Sequence, residues 1–224
     1  MRVFEHKSIH LDELETETIG GKRHYVTPDG KLPSITSVLS ILSAEGIKQW
    51  RAKVGEKEAN KISTQAARRG TNVHQMCEDY INNSLDVDKF LPHEKESFLP
   101  LQKEIDQNIG LVYAQELPLY STYLGVAGRV DLIAEHDGRL SVIDFKTSRK
   151  VKKKEWISGY FQQGAAYAVM FEERTGIPVD KIVIAITVDG QTDAQVFIEK
   201  RDNWVPTLQE TIQLYRDKYG IPRS

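Results

Sequence analysis

The sequence predicts an α/β protein in which a central mixed β-sheet is flanked by helices. Three observations predict it. Residues 46–109 carry helical periodicity, residues 111–148 switch to β-rich segments, and a further helical segment separates those strands from two more. Strands that meander, cross over through a helix and resume imply a mixed sheet with helices on its faces.

Taken in order, HYVTPDGKLP brings β-formers to a Pro-Asp-Gly turn, an entry hairpin. SITSVLSIL follows as a short helix that Ser34 can cap. Residues 46–69 are rich in Lys, Ala, Glu and Gln, and after Gly70 the residues Val73, Met76, Cys77, Tyr80 and Ile81 recur at helical spacing. This predicts two helices joined near Gly70. Another helix is predicted from Pro92 to Ile109, with Pro92 in its first turn, Phe98, Leu101 and Ile105 on its apolar face, and Gly110 as its stop.

Three strands are predicted in LVYAQELPLY, YLGVAGRVDLIAEH and RLSVIDFKTS, the last two joined by the turn residues His136-Asp137-Gly138. A helix from Trp156 to Arg174 ends at Gly176 and Pro178, KIVIAITVDG and AQVFIEK give two more strands, and a helix over 202–219 closes the chain.

A chain of 224 residues with 40% hydrophobic content is expected to form one domain. Its parts are a mainly helical region (1–110), a sheet core (111–200) and a C-terminal helix (201–224). Its 30 basic and 32 acidic side chains nearly cancel, so any field that attracts nucleic acid must come from local clustering. The single cysteine, Cys77, excludes an internal disulfide and a four-cysteine zinc or iron–sulfur site. That composition fits a reducing, intracellular setting. No signal-peptide or membrane-spanning stretch stands out, so a soluble protein is expected. No Walker A pattern is present, which leaves ATP-driven translocation to another polypeptide.

The chemistry concentrates in Gly128-Arg129-Val130-Asp131 and Asp144-Phe145-Lys146, on the two arms of one hairpin. Strand alternation points Asp144 and Lys146 one way and Phe145 the other. Val142, Ile143 and Phe145 would bury this strand, yet it carries two charges. A bound Mg²⁺ compensates a carboxylate that burial alone would penalise, and Asp131 on the adjacent strand can reach the same ion. The alternative is an ordinary ion pair, to which the tripeptide alone is equally suited. His74 and Glu78 lie one helical turn apart in RGTNVHQMCEDY.

These ordered motifs, over about Pro33 to Tyr167, resemble the RecB-type branch of the PD-(D/E)XK nucleases. Within that branch they are similar to the mitochondrial genome maintenance exonucleases and phage single-strand exonucleases. The resemblance implies a restriction-endonuclease-like core and a metal-dependent DNA exonuclease acting on single-stranded ends. It implies metal ligation by His74, Asp131, Asp144 and the Phe145 carbonyl, with Glu116 as a further ligand, and Lys146 as activator of water or stabiliser of charge. Gln163 and Tyr167 match a Gln-x-x-x-Tyr motif that organises such sites.

Mg²⁺ is the implied cofactor, Mn²⁺ a substitute, and the lone cysteine excludes the iron–sulfur subclass. The cytoplasm of a bacterial or phage-infected cell is the implied setting. Arg68, Arg69, Lys150, Lys152, Lys153 and Lys154 flank the motifs as candidate DNA contacts, although a lysine run is equally a solvated face. Ser34, Thr36 and Ser37 can bond phosphates or cap a helix. The rival functions are a structure-specific or flap endonuclease with the same site, and a non-catalytic DNA-binding protein of the same fold. Oligomeric state is not readable from the sequence.

Overall fold

The computed structural model describes residues 2–7 and 9–220. A small antiparallel sheet of β1 (Thr16–Ile19), β2 (Lys22–Thr27) and β3 (Gly30–Pro33) opens the chain. The entry hairpin of the sequence is β2–β3, and β1 adds a third strand. Its TETI sequence is short and polar and carried no period-two signal. Next come α1 (Ile35–Leu39), α2 (Ala44–Val54), α3 (Glu56–Ile81) and α4 (Pro92–Asn108).

The junction expected near Gly70 lies instead at Gly55. Gly55 takes φ +85°, a left-handed value that ends α2, whereas α3 runs unbroken through Gly70. A glycine within a helix weakens it by about 1 kcal/mol without breaking it, and a buried face including Val73, Met76, Cys77, Tyr80 and Ile81 holds α3 together.

The main sheet has the order β4-β5-β6-β7-β8, with β4 (Ile109–Ser121), β5 (Val126–His136), β6 (Arg139–Ser148), β7 (Lys181–Val188) and β8 (Gln195–Lys200). The β4–β5 and β5–β6 pairs are antiparallel, β6–β7 is parallel and β7–β8 is antiparallel, so the sheet is mixed. Asp137 and Gly138 both take positive φ in the two-residue loop between His136 and Arg139, the twist a tight hairpin needs. The parallel step requires a crossover, which α5 (Ser158–Thr175) supplies, and α6 (Val205–Tyr219) follows β8. Residues 221–224 of the expected C-terminal helix lie outside the described residues.

Alternation along β6 and β7 divides the core. Val142, Ile182, Ile184 and Ile186 pack with side chains of α1, α5 and α6. Ile143, Phe145, Val183 and Ala185 pack with Val73, Met76 and Tyr80 of α3 and Leu101 of α4. The sheet is thus sandwiched between helices. On the α5 side the contact is close: a Cβ on Gly164 would run into Ile182 Cγ2. Gly164→Ala is expected to destabilise the fold by about 1–3 kcal/mol, read as a lower denaturation midpoint at unchanged slope. Among the described residues, no helix is long and apolar enough to cross a membrane.

Candidate metal centre

Strand pairing between β5 and β6 is regular from the hairpin to Leu132↔Ile143, and the pairs beyond it are lost. Asp131 and Asp144, the next residues on each strand, therefore stand where the two strands part. The amide of Phe145 still donates to Asp131 Oδ2 at 3.3 Å, which ties the two arms together through a carboxylate. Helix α3 passes this opening and presents His74 to it. Its Nε2 lies 2.7 Å from Asp131 Oδ2, and its Nδ1 lies 3.6 Å from Glu116 Oε1.

Glu116 sits within β4, not at its end, with φ +49°, a left-handed backbone that a non-glycine residue rarely adopts. Its neighbours Gln115 and Leu117 pair with Leu132 and Val130, which brackets it against Asp131. Arg129 reaches across to donate to the Glu116 carbonyl. Strain of this kind persists where surroundings enforce it, and here it sits at a cluster of carboxylates.

One ligand atom each from His74, Glu116 and Asp131 lies within 4.8 Å of the others. Beside them Lys146 Nζ donates to Asp144 Oδ1 at 2.6 Å and lies at ion-pair distance of its Oδ2 as well, so one ammonium faces both oxygens of this buried carboxylate. A buried carboxylate is costly unless cations face it, and Lys146 is the one ammonium that meets Asp144 among the described residues. Hard oxygens with one imidazole, converging on a cleft, suit a divalent cation. The cleft encloses about 620 Å³ and is lined by residues including Gly70, His74, Glu78, Glu116, Phe145 and Lys146.

The charges are strongly coupled. Burial pushes the Asp144 carboxyl up to about 7, with Lys146 opposing and Asp131 adding to the rise. Burial likewise lifts Glu116 to about 7, against the pull of His74. For His74 burial works downward, but Asp131, Glu116 and Asp144 outweigh it and hold the imidazole at about 9. Burial would raise Asp131, yet the His74 hydrogen bond, Lys146 and the Phe145 amide keep it below its ordinary value. Lys146 is held above its ordinary value because Asp144 and Asp131 outweigh its burial.

Tyr167 is buried, and Gln163 Nε2 lies 3.5 Å from its hydroxyl. A Cβ on Gly128 would fall 2.7 Å from Tyr167 Cε1 and 3.0 Å from Ile35 Cγ2. Only glycine therefore lets Tyr167 lie against β5 three residues before Asp131, a steric reason for the glycine of GRVD. Sequence reasoning missed Arg23 of β2 and Tyr160 of α5. Arg23 lines the cleft and approaches Thr36 Oγ1 at 3.4 Å, and the Tyr160 ring lies 5.4 Å from Lys146 Nζ. Neither belongs to a motif, since the fold alone brings them there.

The flanking residues separate into engaged and open ones. Ser34 Oγ is buried and caps α1 by accepting from the Ser37 amide at 3.1 Å, whereas Thr36 is exposed. Arg69 is engaged in an ion pair with Asp189 and a 3.1 Å hydrogen bond to Ser97, while Arg68 is exposed. Lys154 pairs with Glu199, Lys153 lies over the Trp156 ring at 5.3 Å, and the Lys152 backbone is bonded to the Gln195 side chain. Lys150 is exposed, and its backbone is tied to Ser148.

The sequence model of the PD-(D/E)XK nuclease superfamily matches residues 84–218, well over half of the chain. That stretch holds Glu116, Asp131, Asp144, Lys146, Gln163 and Tyr167, and leaves His74 outside it. No curated protein matches the chain.

Proposed function

The chain belongs to the PD-(D/E)XK nuclease superfamily, and from this we propose that it is a Mg²⁺-dependent deoxyribonuclease of the RecB-type branch that hydrolyses single-stranded DNA from an end. The observation that carries this reading is the convergence of His74, Glu116 and Asp131 beside the buried Asp144–Lys146 pair. The single-strand and end preferences rest on the motif resemblance. The whole chain, residues 1–224, acts as one nuclease unit.

His74, Asp131 and Asp144 would hold the cation, with Glu116 and the Phe145 carbonyl as further ligands. A divalent ion held there would supply charge to a phosphodiester oxygen and lower the pKa of water. Lys146, kept protonated by its carboxylate neighbours, places positive charge beside the reacting phosphate. Asp144 fixes that ammonium through its 2.6 Å hydrogen bond, and the Tyr160 ring flanks it at 5.4 Å. Tyr167, seated on Gly128 and reached by Gln163, orders the β5 arm that carries Asp131.

Linear and circular single-stranded DNA of one sequence distinguish the reading from its rivals. With Mg²⁺, the protein is expected to degrade linear DNA labelled at either end, to leave circles intact, and to stop in EDTA. Cutting of circles would replace the exonuclease with an endonuclease. Inertness on both, with Mn²⁺ as well as Mg²⁺, would leave a binding role.

A further inference from the structure

Three clefts adjoin along one side of the molecule. Thr147 lines the metal-centre cleft and also walls a second cleft of about 500 Å³, which contains Ile62, Ala66, Arg68, Leu91 and Arg149. A third, of about 360 Å³, shares Arg69, His93 and Arg149 with the second and reaches Gly190 and Gln191.

We propose that these clefts form one track that leads a single nucleic-acid strand away from Lys146, with Arg68 and Arg149 holding backbone phosphates next to the scissile bond. The inference rests on the nuclease reading above and gives that reading a substrate path. It also selects among the flanking cations: the strand runs by Arg68 and Arg149, not along the lysines that follow.

Two open cations support the assignment. Among the described residues, neither Arg68 nor Arg149 has a carboxylate at ion-pair distance, and both are exposed. The acids that face the track are largely engaged. Glu94 is buried and accepts hydrogen bonds from Asn72 and from the Leu91 amide, and Asp189 pairs with Arg69. Glu96, in the third cleft, is the exception at the far end. Three arginines and three carboxylates line the second and third clefts, so the assignment rests on Arg68 and Arg149 being open cations and not on a net charge of the track.

Polarity supports a single strand over a duplex. Ile62, Ala66 and Leu91 line the same cleft as the arginines, so apolar surface and cations share one space. An unpaired nucleotide offers both a base face and a phosphate. A duplex turns its bases inward and offers mainly phosphate, which would leave that apolar lining without a partner.

The test uses full-length protein carrying Lys146→Ala, with Mg²⁺ present so that a fluorescent oligothymidylate stays uncut. Adding Arg68→Ala and Arg149→Ala is expected to weaken binding by roughly tenfold or more and to lower the salt-dependence slope by about 1.4, two single-strand phosphate contacts at ~0.7 each. A duplex of equal length should lose less. Unchanged affinity and slope would overturn the track, and equal losses for duplex and single strand would overturn its single-strand character. Hydrolysis of bis(p-nitrophenyl) phosphate by the otherwise unaltered chain reports separately on the nuclease reading. If that fails while the binding loss stands, the site is not a nuclease and the track remains.

Discussion

Replacing Lys146 with alanine is expected to lower cleavage of single-stranded DNA by roughly 10²- to 10⁴-fold, the range over which a positioned acid, base or charge contributes. The side chain is three-quarters covered, with its nitrogen 2.6 Å from Asp144 and 5.4 Å from the Tyr160 ring centre. No other cation stands as close to Asp144 among the described residues, so no neighbour can take its place. The substitution leaves Asp144 without its partner. The metal-free variant should therefore melt below the unaltered protein, and a bound divalent ion should restore most of the loss. Lys146→Arg separates two roles: charge stabilisation predicts partial recovery, and proton abstraction predicts none, because guanidinium stays protonated. An alanine variant cleaving within a few-fold of the original would remove Lys146 from the chemistry.

The hairpin holding Asp131, Asp144 and Lys146 was legible because its signals are local. A His-Asp-Gly turn sets the register, and register sets which side chains meet. His74 was legible as a motif residue, but its approach to Asp131 depends on how α3 packs over Ile143 and Phe145, which no local pattern encodes. The junction misplaced at Gly70 shows the limit of reading glycine as punctuation. At Gly55 the backbone needs a positive φ, whereas at Gly70 packing overrides propensity. Glu116 was legible through the family resemblance, and its backbone conformation was what local reading could not supply. Its left-handed backbone turns an ordinary strand residue toward the cluster, and nothing in IGLVYAQELPLYS announces it. Likewise Arg68 and Arg69 are alike in sequence, and only the fold gives Arg69 an acid to pair with.

Removing the metal is expected to invert the protein's response to pH. In the metal-free state Asp144 and Glu116 are pushed up to about 7 and His74 to about 9, from ordinary values of 3.8, 4.5 and 6.5. Each group holds its proton more tightly folded than unfolded. Its contribution to stability is therefore full below the ordinary value and is lost as pH rises through the folded one. Asp131 runs the other way: held below 3.8, it contributes above that pH and is lost only in stronger acid. Between about pH 5 and 9 the three raised groups dominate, and the melting temperature in EDTA should fall steadily across that window. A divalent cation needs a neutral imidazole and ionised carboxylates, so its affinity should rise over the same window by about tenfold per pH unit for each proton displaced. The gap between melting temperatures with Mg²⁺ or Mn²⁺ and with EDTA should then widen from pH 6 to 9. In His74→Ala the part of this slope above about pH 8 should flatten, because carboxyls that titrate near 7 are largely ionised there and the imidazole accounts for what remains. EDTA melts that stay level or climb toward pH 9 would show that these side chains do not share one charge-coupled site, and the ligand assignment would fall with them.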